Sequence, residues 1–247
     1  MSETRPAAAI YGHRGARGER PENTIEGFLH ARDVGVAGIE TDIAMTADFV
    51  PVLHHDPALA DGRLIRDLQF ADLAGIPTLA EALQALPGMA WLLEIKTYPP
   101  APGACHPPAV VVEHVWRVLR DARVDSSKIS ILAFDWEVLR EVERQAPGLR
   151  RVCLTEPETQ AAPALWWGRA GAAPAAVAAT GAAAWAAFHA TLTPGLVAEA
   201  RALGLKILAW TVNAPADFER LAPLVDGIIT DVPARWLIPP PGRTPRN

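Results

Sequence analysis

Along this chain, apolar runs four to eight residues long alternate with longer stretches in which apolar residues recur at helical spacing. That alternation is the pattern of βα units around a parallel sheet. Eight runs read as strands: IYGHRG (10–15), GIETDIAM (38–45), WLLEIK (91–96), KISILAFD (128–135), RRVCLTE (150–156), AAWAAFH (183–189), KILAWTV (206–212) and GIITD (227–231). A further run, VPVLHHD, follows the second strand after only a short polar turn around Thr46 to Asp48. Parallel neighbours need a crossover of about a dozen residues or more, so this run must return antiparallel, as a hairpin appended to the second strand. Its fold-back is expected to bring residues near 53–55 opposite residues near 40–42, with His55 across from Glu40.

Helical segments fill the intervals. NTIEGFLHARDVG carries apolar residues at Ile25, Phe28, Leu29 and Val34, with Asn23 or Thr24 placed to cap its start. PTLAEALQALPG, EVLREVERQAPG and TPGLVAEARALG each run toward a terminal glycine. With 247 residues the chain has the size of a (β/α)8 barrel. The expectation is an α/β fold, a TIM barrel with a hairpin extension after strand 2, forming a single catalytic domain over residues 1–247.

Composition narrows the function classes. Half the residues are apolar and 21% are charged, ordinary for a protein with a large core. A net charge of −5 speaks against a nucleic-acid surface, while leaving room for a local basic pocket that takes a small phosphate ester. Cys105 and Cys153 make neither a disulfide framework nor a thiolate zinc site. The start MSETRPAAAIYGHRG lacks the basic stretch and apolar core of a secretory leader, so a cytoplasmic location is expected. Residues 172–192 carry no charge, but alanine transfers weakly into lipid and Pro174, Thr180, Gly181 and His189 interrupt the run. No stable membrane insertion is expected. The oligomeric state is not set by the sequence.

Two stretches fall outside the alternation: the proline-rich 98–108, and the alanine-biased 156–181 with the pair Trp166 and Trp167. Both follow strand ends on the face where barrel enzymes keep their sites, so they read either as plain loops or as walls and a lid. The tryptophans read as packing residues or as an apolar entrance.

The chemistry lies at strand ends. Side chains two apart in a strand share a face, so Glu40 pairs with Asp42 and Glu94 with Lys96. Pointed inward at the barrel mouth, Glu40, Asp42 and Glu94 form an oxygen-only ligand set suited to Mg2+ or Ca2+. A single strand carboxylate is ordinarily a surface or ion-paired residue; its recurrence at neighbouring strand ends is what points to function. His13 and His55 offer a general base and a general acid near neutral pH. Arg14 and Lys96 offer positive charge to a phosphate.

These residues carry a resemblance. HRGARGERPENT (13–24), IETD (39–42), VPVLHHDPAL (50–59), LEIK (93–96), AFDWEVLREV (133–142), WTVN and DGIITDVP (210–233) resemble the successive signatures of the glycerophosphodiester phosphodiesterase family. The resemblance implies a TIM barrel that uses a divalent metal to hydrolyse a small-molecule glycerophosphodiester to sn-glycerol 3-phosphate and an alcohol. It places metal ligands on Glu40, Asp42 and Glu94, the acid/base pair on His13 and His55 rather than His54, and substrate contacts on Arg14, Lys96, Trp210 and Asn213. Departures are the segment PALADGRLIRDLQ after HHD, Ala133 where a serine is common, and residues 157–187, which match nothing in the family pattern. All three bear on the alcohol side of the pocket. Two alternatives accompany this reading: a lysophospholipase D or sphingomyelinase D-like enzyme acting on lipids, and a non-catalytic barrel that binds phosphate esters.

Overall fold

The computed structural model describes residues 8–237. The first seven residues, part of the stretch in which no secretory leader was expected, lie outside them. Eight parallel strands, β1 (Ala9–Gly12), β2 (Gly38–Met45), β4 (Trp91–Ile95), β5 (Ile129–Ala133), β6 (Arg150–Thr155), β7 (Ala184–Phe188), β8 (Lys206–Trp210) and β9 (Gly227–Thr230), pair in that order, and β9 returns to β1 to close the barrel. The remaining strand, β3 (Pro51–Leu53), pairs antiparallel with β2, as its short connection requires. The hairpin turn is held by the Thr46 hydroxyl, which donates to Asp48 (2.6 Å) and accepts from the Val50 amide (2.9 Å). Register differs by one residue from expectation. Ile43 pairs with Leu53 and the His54 amide donates to the Asp42 carbonyl, so His54, not His55, stands across from the second strand's carboxylate pair.

Every expected strand is present, and most are shorter at the C-terminal end. His13, Arg14, Lys96, Phe134, Asp135, Glu156 and Asp231 all lie just beyond the last paired residue. A ladder needs partners on both sides, and at the barrel mouth the chain leaves it to present side chains to the cavity.

Helices begin where polar caps stand. Thr24 accepts from the Gly27 amide and Thr78 from the Glu81 amide, with Glu81 returning the bond to Thr78 as a capping box. Asp135 caps Trp136–Gln145, and Thr193 caps Pro194–Ala202. A helix over Pro108–Asp121 buries Val111, Val112, Val115 and Leu119 against the barrel. The alanine-rich segment divides into a short helix at Ala173–Ala178 and strand β7. Among the described residues no helix is long and apolar enough to cross a membrane. Both cysteines are free thiols.

Three apolar clusters hold the architecture. The largest fills the layer between barrel and helices and includes Phe28, Trp91, Trp136 and Trp185. A second fills the barrel interior: Leu92, Leu132, Val152, Leu154, Ala184, Ala186, Leu208 and Ile229, with Tyr11, Phe134 and Trp210 packed against it. Gly38 makes room at its base, since a Cβ there would come within 2.9 Å of the Tyr11 ring. The third lies under the segment that follows the hairpin, around Val52, Ile65 and Leu73.

Candidate active site

Strand periodicity carries the interior layer directly into the site. Two residues past Tyr11 comes His13, past Gly38 come Glu40 and Asp42, and past Leu92 come Glu94 and Lys96; likewise Leu132 leads to Phe134, Leu154 to Glu156, Leu208 to Trp210 and Ile229 to Asp231. On these seven strands the inward layer is thus followed, one pleat nearer the mouth, by a polar or aromatic side chain; on β7 Ala186 leads instead to Phe188, outside the cavity lining. Above them opens a cavity of about 340 Å³, floored by Leu132, Leu154 and Ile229.

Glu40, Asp42 and Glu94 are buried, and one carboxylate oxygen from each lies within 4.8 Å of the others. Two cations sit among them. Lys96 Nζ is 2.5 Å from Glu94 Oε1 and 3.0 Å from Asp42 Oδ1, and Arg14 Nε is 3.1 Å from Asp42 Oδ2. Three carboxylates against two cations leave one negative charge uncompensated, and Glu40 Oε1 is buried with no hydrogen-bond partner. The protonation pattern follows. Burial, then the neighbouring Asp42 and Glu94, push Glu40 well above the usual carboxylate range. Burial likewise raises Glu94 to about 7 against the pull of Lys96. Asp42 is also buried, yet Lys96 and Arg14 outweigh burial and hold it below the usual range. An orphaned carboxylate oxygen in an oxygen-only set fits a hard divalent cation, and such an ion would turn the local charge from minus one to plus one.

The loop after β1 shapes this cluster. Gly12 is required there because a Cβ would fall 1.9 Å from the Gly15 carbonyl oxygen. Arg14 takes a left-handed backbone (φ 49°), uncommon outside glycine, and its amide thereby donates to Glu40 Oε2 at 2.9 Å. Asn23, also left-handed (φ 53°), donates from Nδ2 to Asp42 Oδ2 (3.0 Å) and accepts from the Thr41 hydroxyl (2.8 Å). The helix cap that the sequence left open between Asn23 and Thr24 therefore belongs to Thr24, and Asn23 serves the carboxylates.

Both expected histidines line the cavity. His13 Nδ1 bonds Asp231 Oδ1 (2.6 Å), and His13 Nε2 lies 3.8 Å from Glu40. His55 Nδ1 bonds Asp56 Oδ1 (2.7 Å). Burial lowers both imidazoles, His55 further through Lys96, while Asp231 and Asp42 respectively oppose the shift. In each ring a carboxylate secures Nδ1 and leaves Nε2 for other work. His54 instead meets the Asp56 carbonyl, His106 the Thr46 carbonyl, and His189 stands 3.5 Å from Asp217 outside the cavity lining.

Trp210 lines the cavity, its indole N–H donating to the Ala186 carbonyl. Asn213 does not line it. Its amide donates to Asp231 Oδ2 (2.6 Å) and accepts from the Thr230 hydroxyl and the Asp231 amide, so it stands behind the His13 partner. The tryptophan pair splits. Trp166 lines the cavity, whereas Trp167 is buried and stacks on Trp136 with ring centres 4.6 Å apart. The sequence pointed to no site role for Asp231, Arg17, Tyr98, Phe134 or Glu156, and offered Asn23 only as a helix cap. For Asp231 and Asn23 a signal existed, in the ends of DGIITD and PENT, but nothing local says which residue each would meet.

Comparison with known proteins places this geometry. The model of the glycerophosphoryl diester phosphodiesterase family matches residues 13–235. A glycerophosphodiester phosphodiesterase of Caldanaerobacter subterraneus subsp. tengcongensis is 29% identical, covering 91% of this chain and 94% of that protein. A crystal structure from Silicibacter pomeroyi, a candidate glycerophosphoryl diester phosphodiesterase, superposes with a TM-score of 0.83 at 33% identity, covering 94% of this chain and 92% of that one. An Oleispira antarctica phosphodiesterase in complex with the product sn-glycerol 3-phosphate shares the fold, with a TM-score of 0.76 at 22% identity over 93% of this chain and 95% of that one.

Proposed function

We propose, from the premise that the chain belongs to the glycerophosphoryl diester phosphodiesterase family, that its barrel mouth hydrolyses a glycerophosphodiester to sn-glycerol 3-phosphate and an alcohol. The chain is an enzyme of that family, a phosphoric diester hydrolase. The observation that carries the finer reading is the meeting at one barrel mouth of three clustered buried carboxylates, an orphaned Glu40 oxygen and two imidazoles whose Nδ1 atoms are already secured.

Glu40, Asp42 and Glu94 would hold one Mg2+ or Ca2+, which when bound supplies positive charge to a non-bridging phosphate oxygen. With it in place the cluster carries one net positive charge, matched to the single negative charge of a phosphodiester. Arg14 and Lys96 hold Asp42 ionised and would offer N–H groups not engaged by the carboxylates to the phosphate. One imidazole Nε2 takes a proton from the attacking hydroxyl, and the other returns a proton to the leaving alcohol oxygen. Asp231, fixed by Asn213, holds His13 in the tautomer this requires. Burial lowers both rings and so favours the neutral form that the base needs; the ring that acts as acid must enter the step protonated at Nε2, and after it has given that proton to the leaving oxygen the two rings have exchanged protonation states. The whole 247-residue chain acts as one catalytic barrel in this reading.

The test is phosphorus NMR of glycerophosphocholine incubated with the protein and Mg2+, Ca2+ or chelator. A glycerol 3-phosphate signal that grows only with metal is expected. A transient cyclic phosphate assigns attack to the glycerol 2-hydroxyl; its absence assigns attack to water. No turnover with either ion overturns the proposal.

A further inference from the structure

The cavity is two-sided in chemistry. Its β1, β2 and β4 side holds the carboxylates, Arg14, Lys96 and the two imidazoles, and the phosphate belongs there. Its β5, β6 and β8 side is a wall of aromatic rings around one carboxylate. Phe134 sits between Trp210 and Trp166, with ring centres 5.4 and 6.5 Å away and interplanar angles of 77° and 71°. Glu156, half-buried at the end of β6, lines the same wall.

We infer that this wall receives the alcohol half of the diester and selects an alcohol bearing a fixed positive charge, above all a trimethylammonium; the inference rests on the phosphodiesterase reading above. A glycerol moiety carries two hydroxyls that must be hydrogen-bonded once out of water. The Phe134 and Trp210 rings offer them nothing, because the Trp210 indole N–H is committed to the Ala186 carbonyl, and the polar groups left to that wall include the Glu156 carboxylate and the neighbouring Thr211. A trimethylammonium has no hydrogen to donate and is held by ring faces and one carboxylate, whereas a primary ammonium would leave N–H groups unmatched. The wall already faces a cation, since Lys96 Nζ lies 6.0 Å from the centre of the Phe134 ring. That ammonium is neutralised by Asp42 and Glu94, so its charge does not repel a second cation at full strength. An anionic alcohol group would meet Glu156 as a like charge. Trp166 lies outside the motifs that carry the family resemblance, whereas Phe134 and Trp210 lie within them, so its ring is the part of this wall that those motifs do not supply.

The test is a one-tube competition between glycerophosphocholine and glycerophosphoglycerol, followed by phosphorus NMR with the metal-loaded enzyme. The two rates give the ratio of kcat/KM directly, and that ratio is unaffected by any loss of folded protein. A preference for the choline ester of about tenfold or more is expected, falling to within about threefold of unity in both Glu156→Gln and Trp166→Leu. Equal turnover by the unaltered enzyme, or a preference that survives in either variant, overturns the inference while leaving the phosphodiesterase reading standing. Turnover of neither ester removes that reading, and this inference with it.

Discussion

His13 Nδ1 and Asp231 Oδ1 lie 2.6 Å apart although 218 positions separate them in the chain. The first and last barrel strands are neighbours, and the pair spans that closing seam. Asp231 is itself held by Asn213, and its carboxyl lies below the usual range because the His13 and Asn213 bonds outweigh its burial. Replacing Asp231 with Asn is expected to lower kcat on the order of a hundredfold, within the range that positioned acid–base groups supply, while KM changes little. Asn213→Ala should show the same pattern with a smaller loss. Steady-state kinetics on glycerophosphocholine check both, and an equal fall in kcat and rise in KM would deny Asp231 its orienting role.

The carboxylate cluster should report metal through stability. Binding to the folded state alone adds about 2.7 kcal/mol when free metal is a hundredfold above its dissociation constant. Thermal melts of the chelated protein are therefore expected to rise by roughly 5–10 °C on saturation with the preferred ion, at about 2–4 °C per kcal/mol for a domain of this size. Glu40→Gln and Glu94→Gln should abolish the rise. An undiminished rise in both variants would place the ion elsewhere.

Asn23 combines a left-handed backbone with a buried hydrogen bond to Asp42. Asn23→Ala removes the amide and keeps the unfavourable φ, so a loss of about 1–3 kcal/mol in urea unfolding is expected. Asn23→Gly relieves the backbone and should lose less. Equal losses would mean that the backbone conformation contributes nothing.

The two adjacent tryptophans should separate cleanly. Trp167 is buried against Trp136, so Trp167→Ala is expected to cost about 3–5 kcal/mol of stability. Trp166 is half-buried, and Trp166→Ala should cost clearly less. Chemical denaturation of the two variants side by side decides this.

Burial pushes the thiols up, Cys153 to about 12 and Cys105 to about 11. A thiol whose pKa is raised stays protonated and unreactive until the pH approaches that value. The native protein should thus react slowly with a thiol-specific disulfide reagent at pH 8, and both cysteines should react at once in denaturant. By linkage, the stability that the protonated thiols contribute is complete below the unfolded thiol pKa and is lost as pH rises from there toward 11 and 12. Fast reaction in the native state would contradict that burial.

Much of this molecule was legible along the chain. Strand positions, the appended hairpin and the shared face of Glu40 with Asp42 follow from local periodicity and connection length. These features need only the geometry of a few neighbouring residues. Strand spacing offered the three carboxylates and the two histidines as candidates, and the family resemblance agreed on the same positions, adding expectations about distant partners that no local rule contains. What remained hidden was partnership across the barrel. Nothing near Asp231 announces His13, nothing near Asn23 announces Asp42, and two adjacent identical indoles face opposite environments because one lies over a cavity and the other over a helix. The hairpin shows the boundary most sharply. Its existence followed from a short turn, but its register, His54 opposite Asp42, goes with a backbone bridge from Val52 to Thr78 and with the packing of Val52 in the cluster that includes Ile65 and Leu73, contacts with residues beyond the hairpin. Sequence thus determined which elements form and which faces they turn inward. Closure of the barrel decided which charges meet, because only the closed sheet sets β1 beside β9 and fixes distances between residues the chain holds far apart.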